Sequence, residues 1–221
     1  MILTNAISVD YLTLIDSENI DLVACNGTTA LHTACYFGHL TIVKLLIQKA
    51  LKKSINVFTL NDRSQTILHS ACLKIRDWTR VHSQRKIVEF ILLMSYCSDV
   101  TLDLDHQDHD GKTALHYACS HGDTQVVKVL FEAVKEGRID ATICDHDNRT
   151  ILHSWSLGYG AGAGSDFTLN LILREYRILG LDIKHCDNFG RTALDYVNIM
   201  EFKELLQKEY SKLDAKKPKL G

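Results

Sequence analysis

Apolar residues recur along this chain in short helical periods that polar, turn-forming clusters separate. Ile42–Leu46 and Val126–Leu130 place apolar side chains on one side of a helix, which is the spacing of an amphipathic segment. A shorter apolar stretch containing Ala and Cys precedes each of them. The clusters between these pairs are rich in Asn, Asp and Gly, residues that favour tight turns because they tolerate positive φ. The pattern predicts a turn, a short helix, a loop and a second helix, repeated along the chain.

A tetrapeptide marks each unit: TALH at 29–32 and 113–116, TILH at 66–69 and 150–153, and TALD at 192–195. Its threonines lie 37, 47, 37 and 42 residues apart. A Thr in this place is predicted to cap the first helix, because its hydroxyl accepts from a free backbone N–H. The His three residues later has two ring nitrogens and can link the loop to the helix. One helix pair cannot bury its apolar face alone, so we expect the units to stack.

These residues resemble ankyrin repeats, whose pattern D-x-x-G-x-T-P-L-H-x-A-A-x-x-G-H leads into an apolar outer helix. The segments GTTALHTACYFGHLTIVKLLI and DHDGKTALHYACSHGDTQVVKVL match it best. The resemblance implies an all-α fold, an ankyrin-type helix-loop-helix solenoid with short β-hairpin turns. Two departures change the expectation. The Pro after Thr is absent from every unit, so the backbone at the start of each first helix is expected to be less rigid. Trp155 stands where the family has a small Ala, so it is expected to push the helices apart or turn outward.

The resemblance also sets the predicted domain boundaries. Residues 1–25 read as a partial, capping repeat and residues 209–221 as a disordered basic tail. Five repeats are predicted between them, in 26–208, at about 26–60, 61–107, 108–144, 145–186 and 187–208.

Composition narrows the function classes. The 221 residues are 46% hydrophobic and carry a formal net charge of −2, which favours neither nucleic acid nor an anionic membrane as a partner. The seven cysteines are scattered, odd in number and without a CxxC, a pattern typical of reduced thiols. We expect a monomer in a reducing, cytoplasmic compartment, or in the host-cell cytosol if this is a delivered bacterial protein.

Several residues have the chemistry of metal ligands, but the repeat explains them. The four anchor histidines lie one repeat apart, roughly 10 Å, which exceeds the ~2 Å of a metal bond. The Asp- and His-rich stretch 102–111 could hold a metal, although two polar hairpin turns account for it and for the similar stretch at 145–147. We predict no metal, no cofactor and no catalytic residue.

Two long loops have open roles. The loop 73–86 contains Trp78 among basic residues; it contacts a partner or an anionic ligand, or else Trp78 covers the side of the core. The loop 156–167 contains four glycines. It joins two helices and lacks the Lys of a phosphate-binding loop, so flexible linkage is expected there.

The resemblance implies a non-enzymatic scaffold for protein–protein interaction that binds through a concave face of turns and first helices. Carried over position by position, the expected partner-binding residues are Tyr36, Phe37, Arg63, Lys74, Trp78, His109, Lys112, Tyr117, His121, Arg149, Phe189 and Arg191. The basic residues just before Thr indicate an acidic segment on the partner. Two alternatives stay open: a recognition arm of a larger or secreted effector-type protein, or a ligand-binding or enzymatic site in the loops 73–86 and 156–167.

Overall fold

A computed structural model describes residue 24, residue 56 and the ranges 26–52, 58–73, 81–96, 102–160, 166–197 and 200–214. Within these residues the chain forms nine α-helices and one 3-10 helix, and no strand, which confirms the predicted all-α class. The α-helices are α1 (Ala30–Tyr36), α2 (Leu40–Lys52), α3 (Ile67–Cys72), α4 (Val81–Met94), α5 (Ala114–His121), α6 (Thr124–Lys135), α7 (Ile151–Gly160), α8 (Asp166–Glu175) and α9 (Met200–Asp214). The 3-10 helix spans Ala193–Tyr196.

The chain divides into two compact units. The first comprises Met1–Ala71 with Ile75–Leu102, and the second comprises Cys72–Lys74 with Asp103–Gly221. In the first unit, α1 packs on α2 and both pack on α4. In the second unit, α5 packs on α6 and α7, and α7 packs on α8 and the 3-10 helix. In the second unit, first helices therefore lie beside first helices and second helices beside second helices, and in the first unit the second helices α2 and α4 lie side by side.

Each first helix begins where the tetrapeptide predicts. Thr29 is extended (φ −84°, ψ 167°), and its hydroxyl accepts from the His32 backbone N–H at 3.3 Å. Thr113 and Thr192 have nearly the same backbone angles and the same reciprocal cap. The capping prediction is confirmed, because the Thr oxygen replaces one of the partners that the first turn of a helix lacks.

Three of the anchor histidines, His32, His116 and His153, tie their repeat to the next turn. Thr113 Oγ and His116 Nδ1 lie 2.9 Å apart, and His116 Nε2 lies 3.2 Å from the Arg149 carbonyl oxygen. The other unit repeats this geometry at His32, whose Nε2 lies 3.0 Å from the Gln65 carbonyl oxygen. Nε2 must donate to a carbonyl, and Nδ1 accepts from the Thr backbone N–H, at 3.2 Å for Thr113 and His116, so the ring is neutral. We call this Thr–His–carbonyl link the clip.

The turns before the threonines share one backbone design. The Asp108 Oδ1 accepts from the N–H groups of Asp110 and Lys112, both at 3.0 Å. The residue two before Thr has positive φ in every repeat: Gly27, Ser64, Gly111, Asn148 and Gly190. Neighbouring turns are joined by backbone hydrogen bonds, such as that from the His146 N–H to the Asp110 carbonyl at 3.0 Å. The turn prediction follows from Asx-type closure and is confirmed.

Small residues and apolar side chains of the second helices form the core. Ala34 and Ala118 on the first helices are buried, as are Ile87, Ile91 and Leu130 on the second helices. The thiols of Cys35 and Cys119 are buried beside them, and burial raises their pKa. They act as small apolar residues, as predicted.

Trp155 is fully buried, so of the two outcomes expected for it, the outward orientation is wrong. Three residues later in α7, Gly158 approaches α5 so closely that a Cβ atom would lie 1.9 Å from the Ser120 carbonyl oxygen. Of the glycine loop predicted at 156–167, residues 156–160 are helical in α7 and residues 166–167 in α8, and residues 161–165 lie outside the described residues. The glycine belongs to the packing of two helices, since only a residue without a side chain fits there.

The last helix, α9, continues to Asp214, whereas the predicted disordered tail begins at 209. Leu206 of this helix is buried and most of its other described side chains are exposed. Among the residues that the structure describes, no helix is long and apolar enough to cross a membrane.

Candidate functional site

In the first unit, two predicted partner-binding aromatics lie together at the end of α1. The rings of Tyr36 and Phe37 meet edge to face with centroids 5.2 Å apart, and Phe37 also stacks on His39 at 6.2 Å. Buried Gln84 holds this end of the helix, because its Nε2 donates to the Tyr36 carbonyl at 2.8 Å and to the Cys35 carbonyl at 3.2 Å. Phe37 remains exposed, so it presents an apolar face on a fixed backbone.

Of the three other partner-binding residues predicted before residue 81, the structure describes only Arg63. Arg63 is exposed in its turn, where its N–H donates to Asn61 Oδ1 at 2.9 Å. Lys74 and Trp78 lie outside the described residues. Residues 81–86, the end of the predicted long loop 73–86, form the first turns of α4.

In the third repeat, a second cluster surrounds Tyr117. Its hydroxyl donates to Asp108 Oδ2 at 2.6 Å, and its ring lies 6.3 Å from that of His121. The Lys112 ammonium lies 6.0 Å from the Tyr117 ring centroid and 3.5 Å from Asp110 Oδ2. His121 Nδ1 lies 2.8 Å from the Tyr117 carbonyl oxygen. The side chains of Asp108, Lys112 and His121 therefore surround one tyrosine.

His109, also predicted as a contact, is exposed at the tip of the same turn. Among the described residues, no group of three or more His, Cys, Asp or Glu side chains is arranged to hold a metal ion.

The last two repeats bring three predicted residues together. The Arg191 guanidinium carbon lies 4.7 Å from the ring centroid of Phe189 and 4.5 Å from that of Tyr196. The Arg149 guanidinium lies 5.9 Å and 5.6 Å from the same two rings. Beneath them, the Tyr196 hydroxyl donates to the carboxylate of Asp187. We call these five residues the arginine–aromatic cluster.

Asp187 is the fixed point of this cluster. Its side chain is fully buried, and its Oδ1 accepts from the Phe189 and Arg191 N–H groups, both at 2.9 Å. Burial alone would raise the pKa of Asp187, but the Tyr196 hydroxyl, these two N–H groups and the Arg191 charge outweigh it and lower the pKa to about 2. The carboxylate is thus ionised across the physiological range.

The predicted basic row is largely neutralised by its own neighbours. Lys112 faces Asp110, and Arg149 forms an ion pair with Asp147 while its side chain is only 17% exposed. Arg191 differs, because an aromatic residue, Phe189, replaces the turn Asp, and its side chain is 45% exposed. Arg191 is paired with buried Asp187 instead, and it is the most exposed of these three cations.

Sequence reasoning missed the role of Asp108 and Asp187, two of the three buried turn aspartates. Asp108 and Tyr117 lie nine positions apart, as do Asp187 and Tyr196. Both pairs form the same hydroxyl-to-carboxylate hydrogen bond. This repeated Asp–Tyr spacing is the signal that could have identified them, since it places a hydroxyl of the first helix over its own turn.

The repeat geometry agrees with comparisons to known proteins. The sequence model described as ankyrin repeats (3 copies) matches residues 4–101 and 80–160. The chain therefore belongs to the ankyrin repeat family, as the tetrapeptides predict. Ankyrin repeats generally mediate protein–protein interaction and are generally non-enzymatic.

One similar relative is an L-asparaginase of Dirofilaria immitis, which is 27% identical over 146 residues. The similarity covers 56% of this chain and 24% of the relative. The chain thus spans about a quarter of the length of that protein.

Proposed function

We propose that this chain is a recognition module that binds another protein through the side chains of its turns and first helices. The observation that carries the proposal is the arginine–aromatic cluster, in which Asp187 and Tyr196 hold Arg191 and the exposed Phe189 in place. Aromatic and Arg side chains are the types that dominate binding free energy at interfaces. A cluster that is ordered before binding loses little conformational entropy when a partner docks.

The first unit supports the same role with a smaller surface. Phe37 is exposed, and the Tyr36 carbonyl next to it is fixed by Gln84. An exposed aromatic ring on a rigid helix end supplies apolar contact area at low entropic cost. The proposal therefore includes the Tyr36–Phe37 pair and the Tyr117 cluster as additional contacts.

We propose that the module acts without catalysis, as a monomer in a reducing compartment. Cys35, Cys119, Cys144 and Cys186 carry thiols rather than disulfides. Burial raises the pKa of the Cys35 and Cys119 thiols, and it also raises that of Cys144. A raised pKa suppresses the thiolate that a nucleophile needs.

A capture experiment tests the proposal. Immobilised full-length protein is incubated with cytosol, and retained proteins are identified by mass spectrometry. Phe189→Ala is expected to reduce recovery of specific partners, because the Phe189 ring is 63% exposed on the proposed surface. Phe167→Ala is the matched control, because this ring is 76% exposed on the second helix α8, outside the turns.

Equal capture by wild type and Phe189→Ala would count against this surface. Because the Dirofilaria immitis relative is named an L-asparaginase, release of ammonia from asparagine is measured in parallel. Activity of the purified chain above that of a heat-inactivated sample would overturn the non-enzymatic part of the proposal.

A further inference from the structure

The Arg191 guanidinium is held in place before any partner arrives. Its carbon lies 4.5 Å from the Tyr196 ring centroid and 4.7 Å from that of Phe189, within the range of cation–π attraction. The Tyr196 ring is fixed in turn by its hydrogen bond to buried Asp187. The charge therefore occupies a defined position on the surface rather than the end of a freely rotating chain.

The donors of Arg191 are also unused within the described part of the chain. Its Nε lies 3.6 Å from Asp187 Oδ2, beyond an ordinary hydrogen bond. No described residue accepts a hydrogen bond from its guanidinium, and Asp187 already accepts from two backbone N–H groups and the Tyr196 hydroxyl. By contrast, Arg149 donates to Asp147 and to the Tyr196 hydroxyl. Arg191 thus combines a fixed plane with free N–H donors.

We propose that Arg191 binds the side-chain carboxylate of an Asp or Glu in the partner, and that an apolar residue next to it packs on Phe189. This inference rests on the proposed function. A guanidinium offers two parallel N–H donors that match a carboxylate, which a Lys ammonium does not. The 63% exposed ring of Phe189 lies beside it and supplies the apolar half of the contact.

The surrounding charges favour a carboxylate over a phosphorylated side chain. Asp187 lies 3.6 Å from the Arg191 Nε, and the exposed carboxylate of Asp147 belongs to the same group of turns. These negative charges repel a dianionic phosphate more strongly than a monoanionic carboxylate. The recognised element is accordingly a short acidic–apolar segment.

A random 12-residue peptide library displayed on phage tests this inference with the full chain as bait. Selected peptides are synthesised, and their Kd is measured by fluorescence polarisation for wild type, Arg191→Gln, Arg191→Lys and Arg174→Gln. Arg174 is the control because it is highly exposed on α8, outside the cluster. Each peptide is also made with its Asp or Glu changed to Asn or Gln, and with phosphoserine in the same place.

The expected peptides contain Asp or Glu beside an apolar residue. Arg191→Gln is expected to weaken their binding about tenfold, as charge-assisted hydrogen bonds of this type do. Arg191→Lys is expected to retain part of the affinity that Arg191→Gln loses. Arg174→Gln is expected to bind the peptides as tightly as wild type. Neutralising the peptide carboxylate is expected to have little further effect in Arg191→Gln, because the two changes remove the same contact.

Other outcomes separate this inference from the proposed function. Peptides that bind through Phe189 without an acidic residue, or equal Kd values in wild type and Arg191→Gln, overturn the carboxylate assignment alone. Tighter binding of the phosphoserine peptide also overturns it. A library that yields no specific binder contradicts both the inference and the proposed recognition surface.

Discussion

The hydroxyl of Tyr117 donates a 2.6 Å hydrogen bond to the carboxylate of Asp108, which is almost completely buried. The same carboxylate closes the turn by accepting from two backbone N–H groups. One side chain therefore joins this turn, which belongs to the proposed binding surface, to the first helix of its own repeat. Removing the Tyr117 hydroxyl therefore measures how much this connection contributes to stability.

Tyr117→Phe is expected to destabilise the protein by about 1–3 kcal/mol, because it leaves one oxygen of buried Asp108 without its hydroxyl donor. The free energy of unfolding is measured by urea denaturation. Tyr96→Phe is the control, because the Tyr96 side chain is 63% exposed. A loss no larger than that of the control would contradict the role of the Asp108–Tyr117 bond.

Acid is expected to destabilise the second unit well above the pH at which carboxylates titrate. Burial lowers the pKa of His116 to about 4, although the Arg149 carbonyl, Asp145 and Asp108 oppose this shift. A group whose folded pKa is depressed stabilises the fold fully above its unfolded pKa, near 6.5. That stability, on the order of 3 kcal/mol, is lost as the pH falls from 6.5 towards 4.

Urea unfolding between pH 7.5 and 4 checks this prediction. Asp187 does not interfere, because its stabilising effect is lost only below the unfolded Asp pKa, as the pH falls towards its folded value of about 2. The imidazole of His116 is followed by NMR in the same samples. Titration of that ring near pH 6.5 in the folded state would refute the assignment.

Gly111 and Gly190 have the same backbone conformation, so replacing each by Ala distinguishes the cost of a positive φ from the cost of a steric clash. Gly111 (φ +77°) and Gly190 (φ +72°) occupy equivalent turn positions. An added Cβ at Gly190 meets nothing within 4 Å, whereas at Gly111 it would lie 2.5 Å from the His146 backbone nitrogen. Gly190→Ala is expected to cost about 1–2 kcal/mol from the left-handed conformation alone. Gly111→Ala is expected to cost more, because the next turn must also move. Equal changes in Tm would show that the turns are not in close contact.

Gly158→Ala tests the packing of α7 against α5. Helix propensity alone would make this change stabilising by about 1 kcal/mol. The new Cβ would lie 1.9 Å from the Ser120 carbonyl oxygen, so we expect destabilisation of about 1–3 kcal/mol or more instead. Calorimetric Tm values decide the sign. Leu157→Ala, a change at the exposed neighbouring position in α7, is the control and is expected to shift Tm little.

The parts of the fold that local chemistry determines were predictable from the sequence. A Thr cap and the His three residues later are adjacent in the chain, so Thr29 with His32 and Thr113 with His116 could be assigned without knowing what surrounds them. The repetition of this signal also predicted the stacking. Asp195 replaces the His in the last unit and still caps its helix, because its carboxylate accepts from the Thr192 N–H at 2.7 Å.

The parts that depend on neighbouring repeats were not predictable in the same way. Trp155 becomes fully buried, and Gly158 allows α7 to approach Ser120 in the preceding first helix. The basic row looked like a row of free charges, yet Arg149 faces Asp147 while Arg191 meets two aromatic rings. Side-chain packing between turns determines which basic residue lies against a neighbouring carboxylate and which stays exposed. The spacing of residues along the sequence does not specify this packing.

In every described clip the His lies in one repeat and the carbonyl acceptor in the following repeat. The two ends of the second unit therefore differ in the groups that they leave unpaired. Each imidazole donates forward, as His153 does to the Arg191 carbonyl at 3.2 Å. Cutting away the fifth repeat would remove the acceptor of the His153 Nε2–H, whereas cutting away the third would remove the donor to the Arg149 carbonyl oxygen. A carbonyl oxygen tolerates the loss of one partner better than an N–H does, because it has two lone pairs. Deleting residues from the C-terminal end is therefore expected to lower the free energy of unfolding of the remaining repeats more than deleting the same number from the N-terminal end.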